Sequence, residues 1–275
     1  MKNQKSNKEE YKSVKQYTLD EFSENKIEKL IISEKQQNDE IEKLKIGLRH
    51  EQFFFIVNVE NFSIITAHGM EEIGFHSDSF NMMQYAQLLP SHGILQMLTL
   101  YWKKIFEFSI QEKSLLSFLK PKYIVQIPLK NAKGEVMLVK RTISPFQFSE
   151  SRRLTQYLSE FTIIKKSFDS EGPEPRFADI PIEFNGNFNL IMNQSFEWET
   201  SPFSPKEMTI LNVYAHDEGK SSLKDLADKC DLKPSTLQFY NKEILMRSKE
   251  FLGEIYKFQT AKEVAIFFKK CGVLK

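Results

Sequence analysis

The sequence predicts an α+β chain in two parts: a five-stranded sheet domain with helices, followed by an all-α helix-turn-helix domain. Three observations carry this prediction. Between residues 52 and 168, runs rich in Phe, Ile and Val bracket a block of helical periodicity. From Ser204 onward the apolar spacing is helical, with cap signals at the starts. Between the two, residues 169–203 shift towards Pro, Gly and Asn. A chain of 275 residues is long enough for two cores.

Residues 1–51 form an N-terminal segment. Its first 20 residues are mostly Lys, Glu, Asn, Ser and Gln, and are expected to be frayed or weakly helical. From Ser23 to Glu51 good helix formers predict a helix. Ile27, Leu30, Ile41, Leu44 and Leu48 share the a and d positions of one heptad frame, with Glu34 and Gln37 in the seam. Either a dimerising coiled coil or a single helix packed on the next domain accounts for that pattern.

Residues 52–168 begin with two strand-like runs, QFFFIVNVE and FSIITAH, separated by the turn pair Glu60-Asn61. Helical segments follow: MEEIGF, SFNMMQYAQLL, and a long one from His92 to Leu119 that Pro90-Ser91 can start. Three strands then return: KYIVQIPLK, EVMLVKRTISPFQF after the turn Asn131-Ala132-Lys133-Gly134, and RLTQYLSEFTIIKKSF. Met70, Phe75, Phe80, Met82, Met83, Met97 and Phe106 either line a ligand pocket or fill the core. Residues 169–203 are an interdomain connector, with short strands expected around Ile180 to Phe184 and Phe188 to Met192.

The order of these elements, carried by FFFIVNVENFSIITAHGMEEIGF at residues 53–75 and YIVQIPLKNAKGEVMLVKRTISPF at 123–146, resembles a PAS domain. The resemblance implies an antiparallel five-stranded sheet with helices across one face. It also implies a role in sensing a small-molecule ligand or in dimerisation. A haem-binding member needs a His on the helix facing the sheet, and His68, His76 and His92 are the nearby histidines. Light-oxygen-voltage photochemistry needs a cysteine inside the domain, and both cysteines, Cys230 and Cys271, lie outside it. No cofactor is expected.

In residues 204–275, Ser204, Pro205 and Glu207 supply an N-cap, a rigid first turn and a capping box. Ile210, Leu211, Tyr214 and Ala215 make one apolar face, and Leu223, Leu226 and Ala227 the inner face of a second helix. Leu232 is expected to bury in the turn. After Pro234, Leu237, Tyr240, Ile244 and Leu245 face inward. Ser235, Gln238, Phe239, Lys242 and Met246 are left outside, with Arg247 and Lys249 placed to meet phosphates. Either a major-groove reader or a solvated helix face fits this pattern.

The segment as a whole is similar to the LuxR-type helix-turn-helix family. Phe203-Ser204-Pro205-Lys206-Glu207 matches the family's opening, Leu226-Ala227 its scaffold helix, and Ser235-Thr236-Leu237 the start of its reader. Tyr240 stands where the family has His, and the tail is longer than the compact version. The resemblance implies that Gln238, Phe239 and Lys242 enter the major groove of double-stranded DNA, and that the chain acts as a homodimer. The last helix of the family often supplies a dimer contact, which here would involve Val264, Phe267 and Phe268; core packing accounts for them equally.

The chain's net charge is +1, so any DNA affinity must come from a local patch. The cysteines lack metal-ligand spacing and read as small buried hydrophobes. No apolar segment follows the N-terminal MKNQKSNKEE and no run of about 18 apolar residues occurs, so a cytoplasmic protein with no membrane partner is expected. No phosphate-binding glycine loop, nucleophile elbow or HExxH motif appears, so an enzyme is not expected. Two functions remain: a transcriptional regulator joining a sensor to a DNA reader, or a protein-interaction module whose helix-turn-helix no longer binds DNA.

Overall fold

A computed structural model describes residues 6–22, 28–111, 115–166, 175–179, 201–217 and 221–274. The chain divides into two compact units, Met1–Phe168 with Pro175–Phe188, and Asp169–Glu174 with Asn189–Lys275.

The first unit is built on one antiparallel sheet. Its strands are β1 (Gln52–Asn58), β2 (Ser63–His68), β3 (Lys122–Lys130), β4 (Val136–Phe148), β5 (Leu154–Lys165) and β6 (Arg176–Ala178), in the order β2-β1-β5-β4-β3-β6. Five of these match the expected runs. The sixth is a correction: Arg176–Ala178 adds to the edge of β3, pairing Phe177 with Tyr123. The Phe177 ring lies 5.6 Å from that of Tyr123 and 5.4 Å from Phe108, which anchors so short a strand. The strands expected at Ile180 to Phe184 and Phe188 to Met192 lie outside the described residues.

β1 explains why its sequence does not alternate. Phe53, Phe55 and Val57 point to one face, where Phe53 stacks on Phe161 at 4.6 Å and Phe55 meets Tyr85 edge-on at 5.3 Å. Phe54 and Ile56 point to the other face and cluster with Phe146 and Leu158. All five are buried, as in a strand covered on both sides. The hairpin between β3 and β4 turns at Asn131, whose side chain accepts from the backbone N–H groups of Lys133 and Glu135. Gly134 closes it at φ 83°, a conformation that favours glycine.

One face carries α1 (Asn7–Phe22), α3 (Met82–Leu88) and α4 (His92–Gln111). The expectation of a frayed first segment is corrected by α1. Tyr11, Val14 and Thr18 recur at helical spacing, and Val14 and Thr18 are buried. Asn7 donates to the carbonyls of Ala86 and Leu89, which would otherwise end α3 without partners. Met70–Ile73, expected as a helix, forms a 3₁₀ turn. The helix expected to reach Leu119 is described as far as Gln111. Leu119 has φ 62° and lies inside the bridge between Ser117 and Lys120, and Pro121 disfavours helix at Lys120.

The opposite face carries α2 (Glu34–Gly47). The helix expected over Ser23 to Glu51 is therefore shorter, and helices cover both faces of the sheet rather than one. Leu30 is not helical but bridges to Ser149, and the buried Gln147 exchanges two hydrogen bonds with the Ile32 backbone. Ile41, Leu44 and Leu48 pack on Phe54, Ile56, Phe146 and Leu158. Gln37, in the heptad seam, donates to Gln156 at 2.9 Å. Of the two readings of this segment, a single helix packed on its own domain fits. Ile27 lies outside the described residues.

Two measurements check this packing. Phe54→Ala should cost about 3–5 kcal/mol in urea unfolding, and Leu44→Asp should lower the midpoint without changing the sedimentation coefficient, whereas a coiled coil would lose its partner. Burial also raises the Glu160 pKa beneath α2, against the pull of Lys122 and with the push of Glu40. A raised folded pKa gives full stability below the ordinary carboxylate value and loses it as pH climbs through the folded value. Glu160→Gln should thus raise Tm at pH 7 and give no gain near pH 4, as read by calorimetry at both.

Candidate functional site

The second unit contains α5 (Pro205–His216), α6 (Leu223–Lys229), α7 (Pro234–Leu252) and α8 (Ala261–Lys270). Each start is dictated locally. Ser204 caps α5 in a full capping box with Glu207, Ser222 caps α6 with Asp225, and Thr260 caps α8. Pro234 occupies the first turn of α7. Between α6 and α7, Leu232 N–H donates to the Ala227 carbonyl at 2.9 Å and Asp231 takes φ 52°. Asp is among the residues that tolerate this left-handed turn, so only four residues, 230–233, separate α6 from α7.

An ion pair orients α7 on the unit. Glu207 is 1% exposed: Oε2 accepts from Ser204 N–H at 2.6 Å, and Oε1 lies 3.1 Å from Arg247 Nε. That contact has ion-pair distance without the alignment of a hydrogen bond, since Nε has no hydrogen-bond partner by direction. Arg247 Nη1 donates to the Pro202 carbonyl at 3.4 Å. Tyr214 adds a second tie from α5, donating to Asn241 at 2.8 Å. Ile210, Leu211, Leu226, Ala227, Leu237 and Ile244 fill the space between the helices.

The outer face of α7 presents Ser235, Gln238, Phe239, Lys242, Met246 and Lys249, all exposed and recurring at three- and four-residue spacing along one stripe in which Gln238 and Phe239 are neighbours. Phe239 is 59% exposed and rests edge-on against Tyr240 at 5.8 Å. Thr236 is half-buried at the edge of this stripe. Lys249 pairs with Glu254 at 3.0 Å on the surface, a contact that salt screens. Arg247 departs from its expected place: its guanidinium is turned to Glu207, so it holds helices together instead of extending the stripe. Positive charge on the stripe therefore centres on Lys242, and residues 204–275 carry an excess of about +3.

Other residues also differ from expectation. Leu223 is 37% exposed rather than inward, while Leu232, Tyr240 and Leu245 are half-buried. Val264, Phe267 and Phe268, weighed for a dimer contact, are core: each is less than 5% exposed, and Phe203 and Phe251 pack on Phe268. Ile266 is the large apolar residue α8 leaves outside. Asp217, at the C-cap of α5, receives Lys262 at 2.8 Å, and Lys269 donates to the Ala215 carbonyl. The tail beyond α7 thus packs back on α5. Cys230 and Cys271 are both buried thiols.

The first unit holds a cavity of about 60 Å³ between the sheet and α1, α3 and α4. Of the residues weighed for a pocket, Met82 lines it; Met70, Met97 and Phe106 are buried core. His92 is half-buried, and burial lowers its pKa and that of His68. Among the described residues no three His, Cys, Asp or Glu side chains could hold a metal, and no helix is long and apolar enough to cross a membrane.

No family model and no curated protein matches the chain. Among solved structures it is similar to a phage VqmA in complex with DPO, at 12% identity over 86% of this chain and 91% of the other, with a TM-score of 0.28. A Vibrio cholera VqmA–ligand–DNA complex aligns at 10% identity over 86% and 89%, TM-score 0.28. Escherichia coli SdiA aligns at 12% identity over 96% and 99%, TM-score 0.26. Scores this low do not place residues onto one another.

Removing the Arg247 side chain strands a buried carboxylate. Arg247→Ala should cost about 2–3 kcal/mol, a stranded buried charge discounted for the partly exposed guanidinium. Hydrogen exchange should speed up across α5 and α7. Unchanged exchange would show that the pair contributes nothing.

Proposed function

We propose that the chain is a DNA-binding transcriptional regulator: a PAS-like unit that senses a small ligand or mediates dimerisation, and a LuxR-type helix-turn-helix that reads the major groove as a homodimer. The observation that carries this is the stripe on α7. A helix begun by proline after a tight turn presents Ser235, Gln238, Phe239 and Lys242 together, with its other side locked to α5. Gln can bond an adenine edge, Phe can meet a thymine methyl, and Ser and Lys can reach phosphate. The antiparallel sheet with helices packed on it supports the PAS-like half. Boundaries of 1–51, 52–168, 169–203 and 204–275 are part of the proposal, with the first segment now read as part of the sheet unit.

A second reading has its own support. With Arg247 turned inward, the stripe lacks a continuous run of positive charge, while Phe239 and Met246 are 59% and 49% exposed. An apolar, weakly charged helix face suits a protein partner. The chain would then be an interaction module with a helix-turn-helix that no longer binds DNA.

Selection from random duplexes at low salt decides between them. The regulator should enrich one site with paired halves. Gln238→Ala should relax one base-pair position at a cost of about 1–3 kcal/mol. Lys242→Glu should weaken binding to every sequence and flatten the salt dependence by about one ion. No enrichment, together with identical behaviour of Lys242→Glu, would remove the DNA reading and leave the interaction module.

A further inference from the structure

One side chain in the first unit is chemically out of keeping with its surroundings. Arg141 sits in the middle of β4, opposite Val125 on one side and Phe161 on the other, and is 7% exposed. Its Nε donates to Ser159 Oγ at 2.8 Å, and its guanidinium also donates to the Tyr157 phenol oxygen. Its guanidinium carbon lies 5.1 Å from the centre of the Tyr85 ring and 5.6 Å from that of Phe161. Ring faces stabilise a cation in part. Among the described residues, however, no carboxylate forms an ion pair with it; Glu160, the neighbouring acid on β5, faces α2 on the other side of the sheet. A guanidinium has five N–H donors, and burying one without a counter-charge is costly.

Arg141 lines the cavity of the first unit. So does Tyr85, whose hydroxyl is buried with no hydrogen-bond partner. Burial raises the Tyr85 pKa and pushes that of Tyr157, a third wall residue, up to about 12, so both phenols stay protonated near neutral pH and Arg141 supplies the charge. The remaining wall is largely apolar, with Leu98, Trp102 and Ile143 prominent. At roughly 10–15 Å³ for each water, about 60 Å³ admits a molecule of roughly four to six water-sized units.

We propose that this cavity binds a small organic acid. One carboxylate oxygen accepts from the Arg141 guanidinium, the Tyr85 hydroxyl donates to the acid group, and the apolar body lies against Leu98, Trp102 and Ile143. The inference rests on the sensing half of the proposed function and names the chemical class sensed. α1 belongs to the site, because Tyr11 and Val14 close one wall and Asn7 ties the helix to α3.

Isovalerate and benzoate, each compared with its neutral amide, test this on the full chain by thermal shift and calorimetry. At least one acid should raise Tm by several degrees and bind at least tenfold more tightly than its amide. Arg141→Met should abolish the acid's effect. Tyr85→Phe, which keeps the ring and so the packing, should weaken the acid about tenfold; it decides the matter should Arg141→Met fail to fold. Amides that bind as well as acids would overturn the anion inference and leave a sensor of neutral ligands. Protection by neither would overturn both for this cavity, and acid binding that survives Tyr85→Phe and Arg141→Met unchanged would place it elsewhere.

Discussion

Burial of both faces of the sheet is the constraint on which the first unit depends. A sheet with one wet face needs one helical layer. Here β1 and β5 send apolar side chains both ways, so two layers are required. The N-terminal segment contributes to both, with α1 on the cavity face and α2 on the other. Residues 29–32 run along the end of β4 between them: Ile31 N–H donates to the Phe148 carbonyl, and Glu150 N–H to that of Lys29. The described residues among the first 51 therefore pack on the sheet, and their polar composition reflects the sides that face water.

The second unit solves a different problem. Its reader helix must expose one face and still be held rigidly. Hydrophobic packing of Leu237 and Ile244 supplies most of the adhesion, but it is non-directional. Glu207 adds direction, since one carboxylate both closes the capping box of α5 and meets Arg247 of α7. The Phe203-Ser204-Pro205-Lys206-Glu207 opening is thus more than a helix start: Phe203 and Glu207 are buried, and Lys206 donates to the Cys230 carbonyl at the end of α6.

Much of this was legible in the sequence where the signal is local. The five long strands, the cap at Ser204, and the turn before Pro234 follow from neighbouring residues. Three features were not. The α1 stripe of Tyr11, Val14 and Thr18 was present but drowned by the Lys and Glu around it. The heptad pattern of Ile41, Leu44 and Leu48 gave the correct inward face but not its partner, because a sheet and a second helix accept the same apolar stripe. Arg247 and Arg141 are the sharper lesson. Whether an arginine meets phosphate, a carboxylate or an aromatic ring depends on residues 40 positions away or on the next strand, and no periodicity encodes that. On α7, Ser235, Gln238 and Lys242 fell where helical spacing put them; Arg247 is five residues beyond Lys242, a rotation that carries it off the stripe.

The pairing of β1 with β5 bears on how the chain folds. Gln52 lies opposite Thr162 and Asn58 opposite Gln156, so the centre of the sheet joins residues about a hundred positions apart. Loop closure must be met before those contacts reward it, which places such topologies among the slower folders. The four helices of the second unit draw on contacts much closer in sequence. During synthesis, β1 can pair with β2 on one edge soon after it leaves the ribosome, while its other edge waits for β5. Until then this Phe-rich strand has α1 and α2, already emerged, as apolar cover for its faces.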